Sequence, residues 1–128
     1  MTLFKNANYR VAFDSATHTL EFFWEEDHAG MSYANFQEAC SNFIGFGFEY
    51  QARNILIDVR NFQLHLPESF PEWQRTEHYP RYHKVGIQKV AYVMPAAALE
   101  HAREIDGEEQ PFVLRNFSDM ASAKKWLN

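Results

Sequence analysis

The sequence contains only one cysteine, Cys40, which excludes an intramolecular disulfide framework and fits a reducing compartment. It also has no excess of basic residues, because 12 lysines and arginines stand against 17 aspartates and glutamates, for a net charge of -5. Nucleic acids and anionic membranes bind to basic surfaces that displace their counterions. Neither is therefore expected as a partner.

Long apolar runs are missing as well. The first eight residues do not contain the apolar segment of a secretory signal, and no stretch of the chain is long enough to span a bilayer. We therefore expect a cytoplasmic protein. A length of 128 residues is typical of one domain, so a single domain over residues 1–128 is predicted.

Aromatic residues, in contrast, are abundant. They make up 16% of the chain and include 12 phenylalanines. Most are expected to fill the core. The excess is large enough that some rings could line a groove, a subunit contact or an apolar cavity.

The stretch over residues 54–62 predicts the centre of the fold. Its uninterrupted aliphatic run at residues 55–57 is typical of a parallel strand that is buried on both faces, since a half-solvated strand would alternate. Asp58 and Arg60 then mark the carboxyl end of this strand. In open α/β sheets that edge is where ligands and partners bind.

The remaining elements are predicted from periodicity and from chain breakers. Alternating apolar residues on both sides of residues 15–18 indicate an antiparallel hairpin, and Ser32 is expected to cap a helix that Gly45 and Gly47 end or loosen. An irregular second helix should contain Pro80, and a third should cover residues 96–105.

Together these patterns predict an α/β fold with the order β-β-α-β-α-β-α-β-α. Strands over residues 88–94 and 112–117 complete about five strands, and a final helix follows Ser118 or Asp119 to give about four helices. Strands that alternate with helices imply right-handed crossovers. The sheet is therefore expected to be mostly parallel, with an amino-terminal antiparallel hairpin.

Four parts of the chain resemble the STAS / SpoIIAA-like domains, and in particular their small stand-alone bacterial members. They are the hairpin, ILIDVRNF at residues 55–62, VGIQKVA at residues 85–91 and FSDMASAKKWL at residues 117–127. The resemblance covers nearly the whole chain. It implies a SpoIIAA-like fold and a non-enzymatic regulatory role in binding a protein partner, as in the anti-sigma-factor antagonists.

The same resemblance directs attention to a phosphorylation site. Typical members are switched by phosphorylation of Ser or Thr at the start of the second helix, in an Asp-Ser-[Ser/Thr]-Gly-like motif. Here residues 66–71 read LPESFP, without the glycine. Ser69 is the candidate phospho-acceptor, but Glu68 beside it would oppose a phosphate. We therefore expect a regulatory module without the usual phosphoswitch.

The polar end of the central strand allows two interpretations. Asp58 could accept hydrogen bonds from loop N–H groups and hold the turn in shape. Alternatively, Asp58, Arg60, Asn61 and His65 could form a small binding edge in which Arg60 holds an anion.

The second helix also carries candidate residues. Tyr79, Arg81 and Tyr82 either pack against the sheet or form an interface for a partner, because Tyr and Arg are enriched in interface cores. Alternation places Phe23 on the face of the strand opposite Phe22 and Trp24, where an exposed ring would favour a homodimer.

No metal or cofactor is predicted. The six histidines are scattered, and Pro80 separates His78 from His83. Ser69, His65 and Asp58 could approach one another, but no nucleophile elbow accompanies them, so a hydrolase ranks third. The main hypothesis is a protein-binding regulatory module. The alternative is a carrier of a small apolar molecule or lipid, of the SEC14 type.

Overall fold

A computed structural model describes all 128 residues of the chain. Six strands form one sheet, in which each strand lies beside its neighbours in the sequence. The strands are Thr2–Lys5 (β1), Tyr9–Asp14 (β2), Thr19–Trp24 (β3), Asn54–Asp58 (β4), Lys89–Val93 (β5) and Val113–Phe117 (β6). The first three pair antiparallel, and β3 to β6 pair parallel. The α/β class, the amino-terminal hairpin and the parallel strands that follow it are therefore confirmed.

Helical elements cover both faces of this sheet. They are Tyr33–Glu49 (α1), Phe70–Trp73 (α2), Tyr79–Val85 (α3) and Met120–Leu127 (α4). The first three share a large core with one face of the sheet, and α4 packs on the other. This division follows from chain order, because successive right-handed crossovers between neighbouring parallel strands lie on the same face.

Strand β4 is buried on both faces, as its aliphatic run predicts. Ile55 and Ile57 belong to the core beneath α1 and α3, whereas Leu56 packs with Ala123 and Leu127 of α4. Burying one such side chain stabilises the fold by about 1.5–3 kcal/mol. The same alternation places Phe22 in the large core, while Phe23 lies on the opposite face beneath the Arg10 guanidinium, 4.0 Å from its ring centre.

The predicted irregularity of the second helix is confirmed. Residues Gln74–His78 form a π-helical turn between α2 and α3, in which the Tyr79 N–H donates to the Gln74 carbonyl. Pro80 has no N–H to donate, and its ring would collide with the preceding turn of a regular α-helix. The wider π turn accommodates this and places His78 in the interior.

Three details differ from the sequence prediction. The predicted helix over residues 96–105 is wrong: a 3₁₀ segment covers Ala96–His101, and Ile105 instead bridges to Leu114 of β6. Its alanines are exposed and offer no apolar stripe to hold a helix against the sheet. Strand β1 pairs with β2 of the hairpin and gives the sheet a sixth strand.

Helix α1 also continues through its two glycines to Glu49. Gly47 lies against the sheet and α3, where an added Cβ would be 3.5 Å from Leu20 and 3.6 Å from Val85. Packing against these neighbours outweighs the low helix propensity of glycine.

A buried histidine connects two loops on the carboxyl side of the strands. The His28 ring accepts a hydrogen bond at Nε2 from the Gln63 N–H (2.8 Å), which leaves Nδ1 to donate to the Glu25 carbonyl. The ring also stacks on Phe62, with ring centres 5.3 Å apart. One side chain thus fixes the loop after β3 to the loop after β4.

We predict that H28A lowers the free energy of unfolding by about 2–4 kcal/mol, because it leaves a cavity and two unpaired backbone groups. Urea denaturation provides the measurement. The exposed His101 supplies the control, and H101A should change stability by less than about 0.5 kcal/mol. Equal effects of the two substitutions would contradict this role of His28.

Candidate functional site

A cavity of about 710 Å³ lies between the sheet, α1, the α2–α3 segment and the loop that precedes β6. Ligand sites in proteins typically measure about 300–1,000 Å³. The cavity sits on the face of the sheet where the crossover from β5 to β6 has no α-helix. An irregular loop replaces that helix, and the cavity forms beneath it.

The wall of the cavity is mainly apolar, with 17 hydrophobic residues among 26. It includes Phe22 and Trp24 from alternate positions of β3, and Phe36, Cys40 and Phe43 from one stripe of α1. Nine aromatic side chains contribute to the wall: Phe22, Trp24, Phe36, Phe43, Phe62, Phe70, Tyr79, Tyr82 and Tyr92.

Four exposed charged residues of the wall mark the mouth of the cavity. Two are Glu72 in α2 and Arg75 in the π turn that follows it, where Arg75 donates to both carboxylate oxygens of Glu72 at 2.7 and 2.9 Å. The others are in the loop before β6, where Arg103 and Glu109 lie 2.5 Å apart. Both pairs are mostly exposed, so each contributes at most about 1 kcal/mol to stability. Their four charges cancel.

The wall also contains a buried polar pair. Nε2 of His78 lies 3.0 Å from the Tyr82 hydroxyl, and Nδ1 of His78 has no hydrogen-bond partner. Burial, assisted by the nearby Arg81 cation, lowers the pKa of His78 to about 4. The imidazole is therefore neutral at physiological pH.

The other titratable groups of the interior are neutral as well. Burial raises the pKa of the Cys40 thiol to about 12, despite the opposing effect of Arg81, and raises that of Tyr79 to about 12 despite Arg103. Burial also raises the pKa of Tyr82 and of Tyr92 well above the usual value for tyrosine. The protonated thiol is a poor nucleophile.

The predicted binding edge lies outside the cavity, and its two charged residues pair with each other. Asp58 accepts from the Arg60 backbone N–H at 3.1 Å and from the Arg60 guanidinium at 3.0 and 2.8 Å. The hydrogen bond to Asp58 raises the pKa of Arg60. Asn61 and His65 are exposed, and none of the four residues lines the cavity. Asp58 thus holds its own turn, and a binding role at this edge stays a prediction.

The remaining candidates are divided between surface and interior. Ser69 is exposed directly before α2, and its side chain caps no helix N–H. Arg81 is half-buried and donates to the Ser41 hydroxyl at 2.6 Å. Tyr79 is half-buried and Tyr82 is fully buried, and both line the cavity. Tyr82 therefore packs inside the molecule instead of forming an exposed partner surface.

Sequence reasoning did not identify the cavity residues individually. The only available signal was the excess of phenylalanine. No group of three or more His, Cys, Asp or Glu side chains is arranged to hold a metal ion. None of the helices combines the length and the apolar character needed to cross a bilayer.

The lowered pKa of His78 has a consequence for stability. Between about pH 6.5 and pH 4 the unfolded chain binds a proton at this position and the folded chain does not, so acid favours unfolding. We expect His78 to account for a loss of about 3 kcal/mol over this window. Denaturation at several pH values should show a smaller loss for H78Q than for H101Q. Parallel curves for the two variants would refute the assignment.

No known protein family, curated protein or solved structure gives a significant match to this chain. The resemblance to STAS domains therefore depends on the sequence motifs alone. The function has to be argued from the cavity and its surroundings.

Proposed function

We propose that this protein is a non-enzymatic binding module that encloses an apolar small molecule, comparable to the lipid carriers of the SEC14 type. The observation that carries the proposal is the cavity of about 710 Å³ with nine aromatic side chains in its wall. Most apolar side chains of a folded domain fill its interior and leave few voids larger than a water molecule. The size and the apolar wall of this space are those of a small-molecule site.

The energetics agree with such an occupant. Each methylene group moved from water into an apolar site gains about 0.8 kcal/mol, before the entropic costs of association are subtracted. Aromatic walls bury a large area at a low conformational cost, because each ring has only two side-chain torsions. The mouth has no net charge, so an apolar molecule meets no unpaired ion as it enters.

A binding role also fits the chemistry of the interior. The thiol of Cys40 is buried and protonated. Ser69 and His65, the other candidate reactive groups, lie outside the cavity wall. No hydrogen bond joins the Cys40 thiol to the His78 imidazole, because Nε2 of His78 pairs with the Tyr82 hydroxyl and Nδ1 has no partner.

The first test is ligand-induced stabilisation. An apolar molecule present at 100 times its Kd should raise the free energy of unfolding by about 2.7 kcal/mol. Thermal shift measurements against a lipid panel, with native mass spectrometry of the purified protein, check this. We expect A102W to obstruct the mouth and abolish the shift, and F48W on the exposed side of α1 to retain it. If A102W does not fold, Q110W at the same mouth replaces it.

A panel without any bound species or stabilisation would overturn the carrier proposal. Stabilisation that A102W and Q110W leave intact would place the ligand elsewhere on the molecule.

A regulatory role with a protein partner is the second candidate, and one observation favours a specific form of it. Leu66, Phe70 and Pro71 occupy the segment where STAS domains have their phosphoswitch, and all three line the cavity. Ser69 in the same segment is exposed. Occupancy of the cavity would thus act on the segment that phosphorylation controls in typical members.

This form of the role predicts that partner binding depends on the cavity and not on the serine. Once a partner protein has been identified, A102W should change the affinity of this protein for that partner by at least about tenfold, which is 1.4 kcal/mol. The S69A variant should bind that partner with unchanged affinity. The opposite result, with S69A impaired and A102W normal, would instead support a phosphoswitch.

A further inference from the structure

The floor of the cavity is a row of side chains that runs across the four parallel strands. In register, the row consists of Phe22 of β3, Ile57 of β4, Tyr92 of β5 and Asn116 of β6. All four residues line the cavity. The floor is therefore apolar at its β3–β4 end, and it carries a hydroxyl and an amide at its β5–β6 end.

The charges of the cavity wall, in contrast, are confined to its mouth. Glu72, Arg75, Arg103 and Glu109 are the charged residues of the wall, and each arginine pairs with the glutamate of its own segment. An ionised group that moved inside would lose its hydration and meet no free charge of opposite sign. The interior thus matches an uncharged molecule.

The Tyr92 hydroxyl is open to the cavity. Of the tyrosines that line the wall, only Tyr82 makes a hydrogen bond of ordinary length and angle through its hydroxyl, to His78. The fully enclosed side-chain atoms without a partner are the Tyr33 hydroxyl and Nδ1 of His78. The Tyr92 hydroxyl is in neither group and keeps accessible surface. Because the half-buried Tyr92 lies on an inner strand and lines the cavity, this surface faces the cavity.

This hydroxyl is a hydrogen-bond donor at physiological pH. Burial raises the pKa of Tyr92 well above the usual value for tyrosine, and the Gln74 amide, which approaches the hydroxyl as a donor, opposes only part of the rise. The phenol therefore keeps its hydrogen. The Asn116 amide N–H already donates to the Arg103 carbonyl at 3.1 Å. The Tyr92 O–H is thus the donor on the floor that has no acceptor in the protein.

We infer that the cavity takes an uncharged, largely apolar ligand with a carbonyl oxygen, and that this oxygen accepts a hydrogen bond from the Tyr92 hydroxyl. The inference rests on the proposed function and specifies its ligand class. A carbonyl supplies acceptor lone pairs and brings no hydrogen that would need a further partner. A carboxylate would also accept the hydrogen bond, but it would bring a charge that the interior does not neutralise.

Three probes of similar size test the ligand class. Equilibrium dialysis at neutral pH compares 2-ethylnaphthalene, 2-acetylnaphthalene and 2-naphthoate. The first two differ by one carbonyl group, and only the last is ionised. We expect 2-acetylnaphthalene to bind more tightly than 2-naphthoate. Tighter binding by 2-naphthoate would overturn the inference and leave the carrier function in place.

A tyrosine variant locates the hydrogen bond. Y92F removes the donor and retains the ring, so the affinity for 2-acetylnaphthalene relative to 2-ethylnaphthalene should fall by about fivefold, equivalent to about 1 kcal/mol. Taking this ratio in both proteins cancels the difference in hydrophobicity between the two probes. Y50F removes a tyrosine hydroxyl outside the cavity wall and should leave the ratio unchanged. An unchanged ratio in Y92F, or an equal fall in both variants, would refute the role of Tyr92.

A vibrational measurement on the unaltered protein does not depend on the folding of these variants. A hydrogen bond weakens a carbonyl bond, so the infrared carbonyl band of bound, ¹³C-labelled 2-acetylnaphthalene should lie below its frequency in cyclohexane. A band at the cyclohexane frequency would refute the hydrogen bond. Failure of all three probes and of the lipid panel to bind would instead refute the carrier function itself.

Discussion

Burial of β4 on both faces is the constraint on which the rest of the structure depends. Ile55 and Leu56 point to opposite sides of the sheet and are both fully buried, so each face needs a cover. Helices α1 and α3 provide one cover, and α4 provides the other. Because right-handed crossovers place the intervening helices on one face, only the chain that follows β6 is left to cover the second.

The cavity is a consequence of this uneven covering. Three crossovers contribute to the large face, but the third contains a 3₁₀ segment and a loop instead of an α-helix. Aromatic rings from β3, α1 and the α2–α3 segment surround the resulting space. Rings are rigid and planar, so they meet in edge-on and stacked contacts and cannot fill an irregular gap as flexible aliphatic side chains do. The missing helix and the aromatic composition together explain why the space is large and apolar.

Local signals were sufficient for much of the fold. The aliphatic run of β4, the alternation of β2 and β3, and Pro80 in the second helix each act through neighbours in the sequence. The predicted helix over residues 96–105 is wrong because the prediction used the intrinsic helix propensity of alanine. A short helix in water also needs an apolar face that packs against the rest of the protein. Strand β1 is stabilised mainly by its pairing with β2, which propensity does not describe.

The candidate site was much less predictable. Phe36 of α1, Phe62 of the loop after β4 and Tyr92 of β5 are distant in the sequence and line one cavity only in the folded chain. The burial of His78 depends on a π turn whose location the proline indicates only approximately. Conversely, Asp58 and Arg60 were correctly placed at the end of a strand, but their mutual ion pair involves a turn geometry that residue types alone do not specify.

The order of the strands has a further consequence for how the molecule forms. Every strand is added beside the one that precedes it in the chain, so no later strand has to insert between two earlier ones. Only the antiparallel pairs are local in sequence, whereas each parallel pair joins strands that a long crossover separates, and such pairing is comparatively slow to form. During synthesis, the growing sheet always presents the edge that the next strand requires.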